Sequence, residues 1–134
     1  MNTEIDKIIE HSSEFAKELL TETGELYPFG AYIGPEGNVH PLEFEYDKKN
    51  MPTVGKVIEA LTTYCNDEIE KGKMPAYGLT FHASVQLEKD KDFVDTFAID
   101  ITTNGDEEIP VYYYPYNISE NKTVTFGEPF AVKR

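Results

Sequence analysis

The chain contains a single cysteine, Cys65, so it cannot form an intrachain disulfide or a metal site built from several thiolates. No segment reaches the ~20 apolar residues that a membrane-spanning helix requires, and the N-terminus carries acids where a secretion signal needs bases. Phosphate-cradling motifs of the forms GxGxxG and GxxxxGK[ST] are also missing. These absences favour a cytoplasmic protein that needs no membrane, and they lead us to expect no cofactor.

Basic residues are scarce as well. The chain has 12 of them against 25 acids, which gives a net charge of −13. Nucleic-acid affinity depends mainly on Lys and Arg replacing counterions, so a nucleic-acid partner is not expected. The same charge would attract a basic protein, although it would also serve simply to keep a small domain in solution.

The length of 134 residues and the apolar content of 40% predict a single globular domain covering residues 1–134. Apolar residues at the helical period predict a first helix from Thr3 to Thr23, ended by Gly24. A second apolar stripe predicts another helix that begins at a Thr53 cap and ends near Lys71. Cys65 lies on that stripe, which favours a buried hydrophobic role over a nucleophilic one.

Alternating apolar and polar residues predict the strands. The turn Gly34–Gly37 separates two short runs that read as a hairpin, and Pro41 places the second run at a sheet edge or a bulge. The strongest alternation runs from Tyr77 to Glu88. Further strands are predicted in the following segments: Phe93–Ile101, Val111–Tyr116 and Thr123–Phe126.

The turn Asn104-Gly105 is expected to join the fourth and fifth predicted strands. We favour a three-residue loop there, because it keeps Ile99 and Ile101 on the same face as Ile109, Val111 and Tyr113. The resulting expectation is an α+β fold of order α-β-β-α-β-β-β(-β), with one antiparallel sheet and both helices packed on one face.

Acids recur at every fourth position of the first predicted helix. Carboxylates at that spacing are neighbours and repel each other by ~0.2–0.5 kcal/mol per step, so solvation or a basic partner must compensate. Projected on the helix, they lie opposite the isoleucines and face water or a partner. This acid ladder consists of Asp6, Glu10, Glu14, Glu18 and Glu22.

Tyrosines are concentrated in VYYYPY, from Val111 to Tyr116. Alternation is expected to bury Tyr113 and to expose its neighbours on the sheet face that no helix covers, where tyrosines behave as interface anchors. The alternative is that they pack under the C-terminal tail. With the acid ladder, the candidate binding surface adds Glu43, Glu45, Thr80, His82, Asp100, Glu108, Tyr112, Tyr114 and Tyr116.

Residues that suggest catalysis are few. His82 and Ser84 share one face of the third predicted strand, with Asp100 expected nearby, but residues two apart on a strand are too distant for serine activation. Asp95 is expected inside an apolar row, where a buried carboxylate would have a perturbed pKa. It could equally accept a bond from a tyrosine as part of the scaffold, or turn outward at a bulge. The scattered histidines predict no metal site.

Three stretches carry a family resemblance: GELYPFGAYIGPEGNV at Gly24 to Val39, FVDTFAIDI at Phe93 to Ile101, and VYYYPYN followed by FGEPF. In them the chain resembles a family of small uncharacterised bacterial proteins. The resemblance implies a bacterial cytoplasmic single domain and implies no activity.

The leading hypothesis is therefore a non-catalytic acidic domain that binds a basic protein, for instance an immunity-type inhibitor of a basic toxin or nuclease. A small enzyme that uses Asp95 or His82 as general acid or base is the first alternative. The second alternative is a homo-oligomer formed through the tyrosine face.

Overall fold

A computed structural model describes residues 3–42, 53–86, 88–104 and 109–133. The elements are α1 (Thr3–Thr23), β1 (Phe29–Ile33), β2 (Val39–Leu42), α2 (Val54–Glu70), β3 (Ala76–Gln86), β4 (Phe93–Thr103), β5 (Val111–Ile118), β6 (Val124–Phe126) and β7 (Phe130–Val132). The strands pair antiparallel in the order β2-β1-β3-β4-β5-β6, and β7 pairs with β5. The α+β class, the single antiparallel sheet and the expected order up to β6 are confirmed, whereas β7 is a strand that the sequence did not predict.

Helix α1 packs across β1, β3 and β4 through the stripe that the sequence predicts. Ile8, Ala16 and Leu20 are buried against Phe29, Phe97, Ile99 and other residues of the sheet. Gly24 ends the helix in the left-handed region with φ 74°, and its N–H donates to the Leu20 carbonyl at 2.9 Å. Helix α1 approaches β3 closely at Gly78, which has no side chain; a Cβ there would lie 2.6 Å from Ile8 Cγ2.

Helix α2 begins as predicted at Thr53, whose hydroxyl accepts a hydrogen bond from the Lys56 N–H. Its buried residues are Val57, Leu61 and Cys65, and they pack with Met74, Tyr77 and Leu79. The thiol of Cys65 is fully buried, as its place on the stripe predicts.

The two helices cover opposite faces of the sheet, because α1 packs with Ala76 of β3 whereas α2 packs with Tyr77 and Leu79 of the same strand. The prediction that both helices pack on one face is therefore wrong. In the β3–β4 pair, Leu79 lies opposite Asp100 and Thr80 lies opposite Ile99. Odd-numbered residues of β3 therefore share a face with even-numbered residues of β4. The first half of β3, from Ala76 to Thr80, is buried on both faces, so its residues pack alternately under α1 and under α2.

The β4–β5 register is shifted in the same way. Ile99 pairs with Tyr112 and Ala98 pairs with Tyr113, which contradicts the expected shared face of Ile99, Val111 and Tyr113. Strand β4 ends at Thr103. Residues 105–108, which include Gly105 of the predicted turn, lie outside the described residues. The two faces of β4 are therefore exchanged relative to the expectation, whereas the two one-residue shifts cancel at β5, whose odd-numbered residues share a face with those of β3 as expected.

The outer strands agree better with the sequence. The Gly34–Gly37 turn joins β1 and β2, with Gly37 at φ 88° and its N–H bonded to the Gly34 carbonyl at 2.9 Å. Strand β2 lies at the sheet edge, where Pro41 was expected. At the opposite side, β6 and β7 both pair with β5, and the Gly127 N–H between them donates to the Pro115 carbonyl at 2.9 Å.

Candidate functional site

The acid ladder lies on the outer face of α1. All five of its carboxylate residues are exposed, while Ile8, Ser12 and Ala16 on the opposite face are fully buried. Within the part of the chain that the structure describes, none of the five forms a salt bridge. The ladder is therefore a strip of negative charge that no described residue neutralises through an ion pair.

A groove runs beside the ladder, where α1 passes the turn between β1 and β2. It has a volume of about 460 Å³ and is lined by Lys7, Glu10, His11, Glu14, Asn38 and Val39. Lys7 Nζ donates to the Gly37 carbonyl at 2.7 Å and so links the helix to the turn. The His11 ring stacks on Phe15 with the planes only 4° apart. Two residues of the ladder thus form one wall of a concave site.

Sequence reasoning selected only Glu10 and Glu14 among these six residues. Asn38 and Val39 are about 30 residues away from Lys7 in sequence, and their approach to α1 depends on how the helix crosses the sheet. Periodicity in α1 shows which residues face outward, but it carries no signal for the neighbour across the groove.

The three tyrosines of the candidate surface do not form an open face. Tyr112, Tyr114 and Tyr116 are half-buried and pack against the core on the α1 side of the sheet. Tyr114 stacks on Phe97 with ring centroids 4.8 Å apart, and burial raises the pKa of both Tyr114 and Tyr116. The expectation of an uncovered tyrosine face is wrong, because α1 covers the side of the sheet on which these rings lie together with Thr80 and Ile99.

Tyr113, which was expected in the core, points to the other face. It is half-buried, like the other three, and stacks on Phe130 of β7 with centroids 5.4 Å apart. In the C-terminal tail, Phe130 thus contacts Tyr113 as its cross-strand partner.

The remaining polar members of the candidate surface are scattered. Thr80 is fully buried beneath α1, whereas Asp100 lies on the opposite face of the sheet because it pairs with Leu79. Glu43, Glu45 and Glu108 lie outside the described residues. Thr80 lies on the same side of the sheet as the tyrosines but is inaccessible, and Asp100 lies on the other side, so neither extends a tyrosine surface.

His82 and Asp95 are brought together instead. Strand β3 extends past β1, and His82 Nε2 lies 3.1 Å from Asp95 Oδ1 on exposed side chains, 43% and 60% accessible. Ser84 is the direct cross-strand partner of Asp95, and the Tyr116 ring lies 6.4 Å from the His82 ring. The expected burial of Asp95 is wrong, because the register places it on the α1 side of the sheet at a point that remains exposed.

Other chemistry finds no support among the described ranges. They contain no cluster of three or more His, Cys, Asp and Glu side chains able to hold a metal ion. Across those same ranges, neither helix combines the length and the apolar character needed to cross a bilayer. Burial, together with the negative charge of Glu68, raises the pKa of the Cys65 thiol to about 12, which leaves it unreactive at neutral pH.

Comparison of the chain with protein-family models, curated proteins and solved structures finds no match.

Proposed function

We propose that this protein is a non-catalytic cytoplasmic binding domain that recognises a basic protein through the outer face of α1. The observation that carries the proposal is the exposed acid ladder without a cationic partner in the described chain. An immunity-type inhibitor of a basic bacterial toxin or nuclease would have this kind of surface. Because Tyr112, Tyr114 and Tyr116 pack against the core, they support neither this surface nor a homo-oligomer formed through them.

The electrostatics favour such a partner for a physical reason. Acids four residues apart on a helix repel each other by ~0.2–0.5 kcal/mol per pair, and the ladder contains four such steps between Asp6 and Glu22. A bound cationic surface would relieve this repulsion at the same time as it forms its own contacts. The net charge of −13 would also steer a basic protein toward the encounter.

The proposal is tested with a decapeptide of arginine, whose affinity for the protein is measured by calorimetry at two salt concentrations. A ladder variant with Glu14→Gln, Glu18→Gln and Glu22→Gln should lose about tenfold in affinity, from three exposed pairs of ordinary strength. The matched control is Glu59→Gln, Glu70→Gln and Glu128→Gln, which removes the same charge at three other exposed positions.

The control should lose no more than about threefold, because distant exposed charges are screened. Equal losses in the two triple variants would show that only net charge matters, and the proposed surface would then be abandoned. Binding that is unchanged at high salt would equally count against an electrostatic interface.

The His82–Asp95 contact favours a second candidate, a small hydrolytic enzyme. Asp95 accepts from His82 Nε2 and would orient the imidazole so that Nδ1 acts as a general base toward a water molecule. Hydrolysis of p-nitrophenyl acetate should then exceed that of free imidazole and should fall at least about tenfold in Asp95→Asn. A rate no higher than that of free imidazole would remove this candidate.

A further inference from the structure

The groove between α1 and the β1–β2 turn combines negative charge with an apolar surface. Glu10 and Glu14 stand one helical turn apart on its α1 wall, and the half-buried Val39 contributes an apolar side chain. Asn38 adds an amide oxygen that can accept a hydrogen bond. Such a site suits a ligand with a cationic, multiply hydrogen-bonding head on an aliphatic stem.

We propose that this groove holds the side chain of an arginine presented by the basic partner, an inference that rests on the proposed function. A guanidinium has five donors in a planar fork, so it can reach two neighbouring carboxylates at once. Its aliphatic stem would lie along Val39. The ammonium of lysine is a compact point charge and can satisfy fewer of these acceptors.

Substitution of Lys7 tests whether the groove binds a cation or an anion. Its ammonium lines the same groove and donates to the Gly37 carbonyl at 2.7 Å. A bound cation is repelled by this charge, whereas a bound anion would be attracted by it. Lys7→Gln removes the charge and keeps an N–H donor for the Gly37 carbonyl, so the link between helix and turn can survive.

The probes are single-residue amides, titrated against the isotope-labelled protein at low ionic strength and followed by amide chemical shifts. N-acetyl-arginine methylamide should perturb Asn38 and Val39, and the neutral citrulline analogue should not. The lysine analogue should bind about two- to fivefold more weakly than the arginine one, because it makes fewer charge-assisted hydrogen bonds.

The variants carry the decisive comparison. Lys7→Gln should tighten binding of the arginine probe about two- to fivefold, and Glu14→Gln should weaken it by a similar factor. Glu59→Gln is the matched control, since Glu59 is exposed on α2 and belongs neither to the ladder nor to the groove. It should leave the affinity for the probe within about twofold, as expected for a screened exposed charge. The amide spectrum of each variant shows whether it is folded.

Weaker arginine binding in Lys7→Gln would overturn the inference, because the groove would then prefer an anion. Equal binding of the lysine and arginine probes, or shifts confined to residues outside the groove, would overturn it as well. If the decapeptide still distinguishes the ladder variant from its control, the proposed function survives such a result. If that discrimination is lost too, both proposals fail together.

Discussion

Two fully buried hydroxyls lie in the interface between α1 and the sheet without a hydrogen-bond partner in the described chain, those of Ser12 and Thr80. Thr80 pairs with Phe29 on one side and Ile99 on the other, so its surroundings on the sheet are apolar. An unsatisfied buried polar group costs about 1–3 kcal/mol relative to a group without polarity. We therefore expect Thr80→Val to stabilise the protein.

The magnitude follows from the shape of the replacement. Valine fills the same volume as threonine and has a similar strand propensity, so neither a cavity nor a backbone effect enters. Removing the desolvation penalty of the hydroxyl should raise the free energy of unfolding by about 1–2 kcal/mol. For a chain of 134 residues this corresponds to an increase in Tm of about 3–8 °C.

Thr96→Val is the matched control. Thr96 is also fully buried in the sheet, but its hydroxyl donates to the Ala83 carbonyl at 2.8 Å. Removing this bond should lower stability by about 0.5–1.5 kcal/mol, so the same substitution should have opposite signs at two positions. Urea unfolding with an unchanged m-value is the measurement. If Thr80→Val destabilises the protein, its hydroxyl must have a partner and the reasoning is refuted.

Three further predictions concern buried groups. Burial raises the pKa of the Cys65 thiol from 9.0 to about 12, so the unfolded thiol loses its proton first and the free energy of unfolding should fall as the pH rises above 9. The difference in stability between wild type and Cys65→Ala should therefore change with pH in this range, and a constant difference would contradict the prediction. Gly78→Ala should lower the free energy of unfolding by about 1–3 kcal/mol, because the new methyl group would clash with Ile8. This loss should be smaller in an Ile8→Ala background, and additive effects in the double-mutant cycle would refute the contact. The phenols of Tyr114 and Tyr116 should ionise above the ordinary pKa of 10.0, chiefly through burial; absorbance titration of Tyr114→Phe should lack one late transition, and an unchanged curve would mean that the ring is open to water.

Local features of the fold could be predicted because they depend on nearby residues. The bounds of α1, the Thr53 cap, the turn before β2 and the edge position of Pro41 all follow from periodicity, capping and the missing proline N–H. The outward orientation of the ladder follows from the same helical projection, which is fixed once the apolar stripe is buried.

The faces of the sheet could not be predicted in this way. Alternation assigns the residues of one strand to two faces, but the face of the next strand depends on register. The pairing of Leu79 with Asp100 reversed the assignment for β4, and the pairing of Ile99 with Tyr112 then set it for β5. These two one-residue shifts exchanged the faces of β4 alone, so its apolar residues lie under α1 with the tyrosines, whereas the apolar residues Tyr77 and Leu79 of β3 lie under α2.

By itself the sequence determined an acidic α+β domain whose first helix presents a strip of carboxylates to its surroundings, since helical periodicity and net charge are properties of the chain alone. Only the tertiary structure decided which side chains meet across elements: Glu10 with Asn38 at the groove, and His82 with Asp95 at the end of the sheet. The physical reason is that such meetings depend on strand register and on the path of a helix over the sheet. Both are set by packing between segments far apart in the chain.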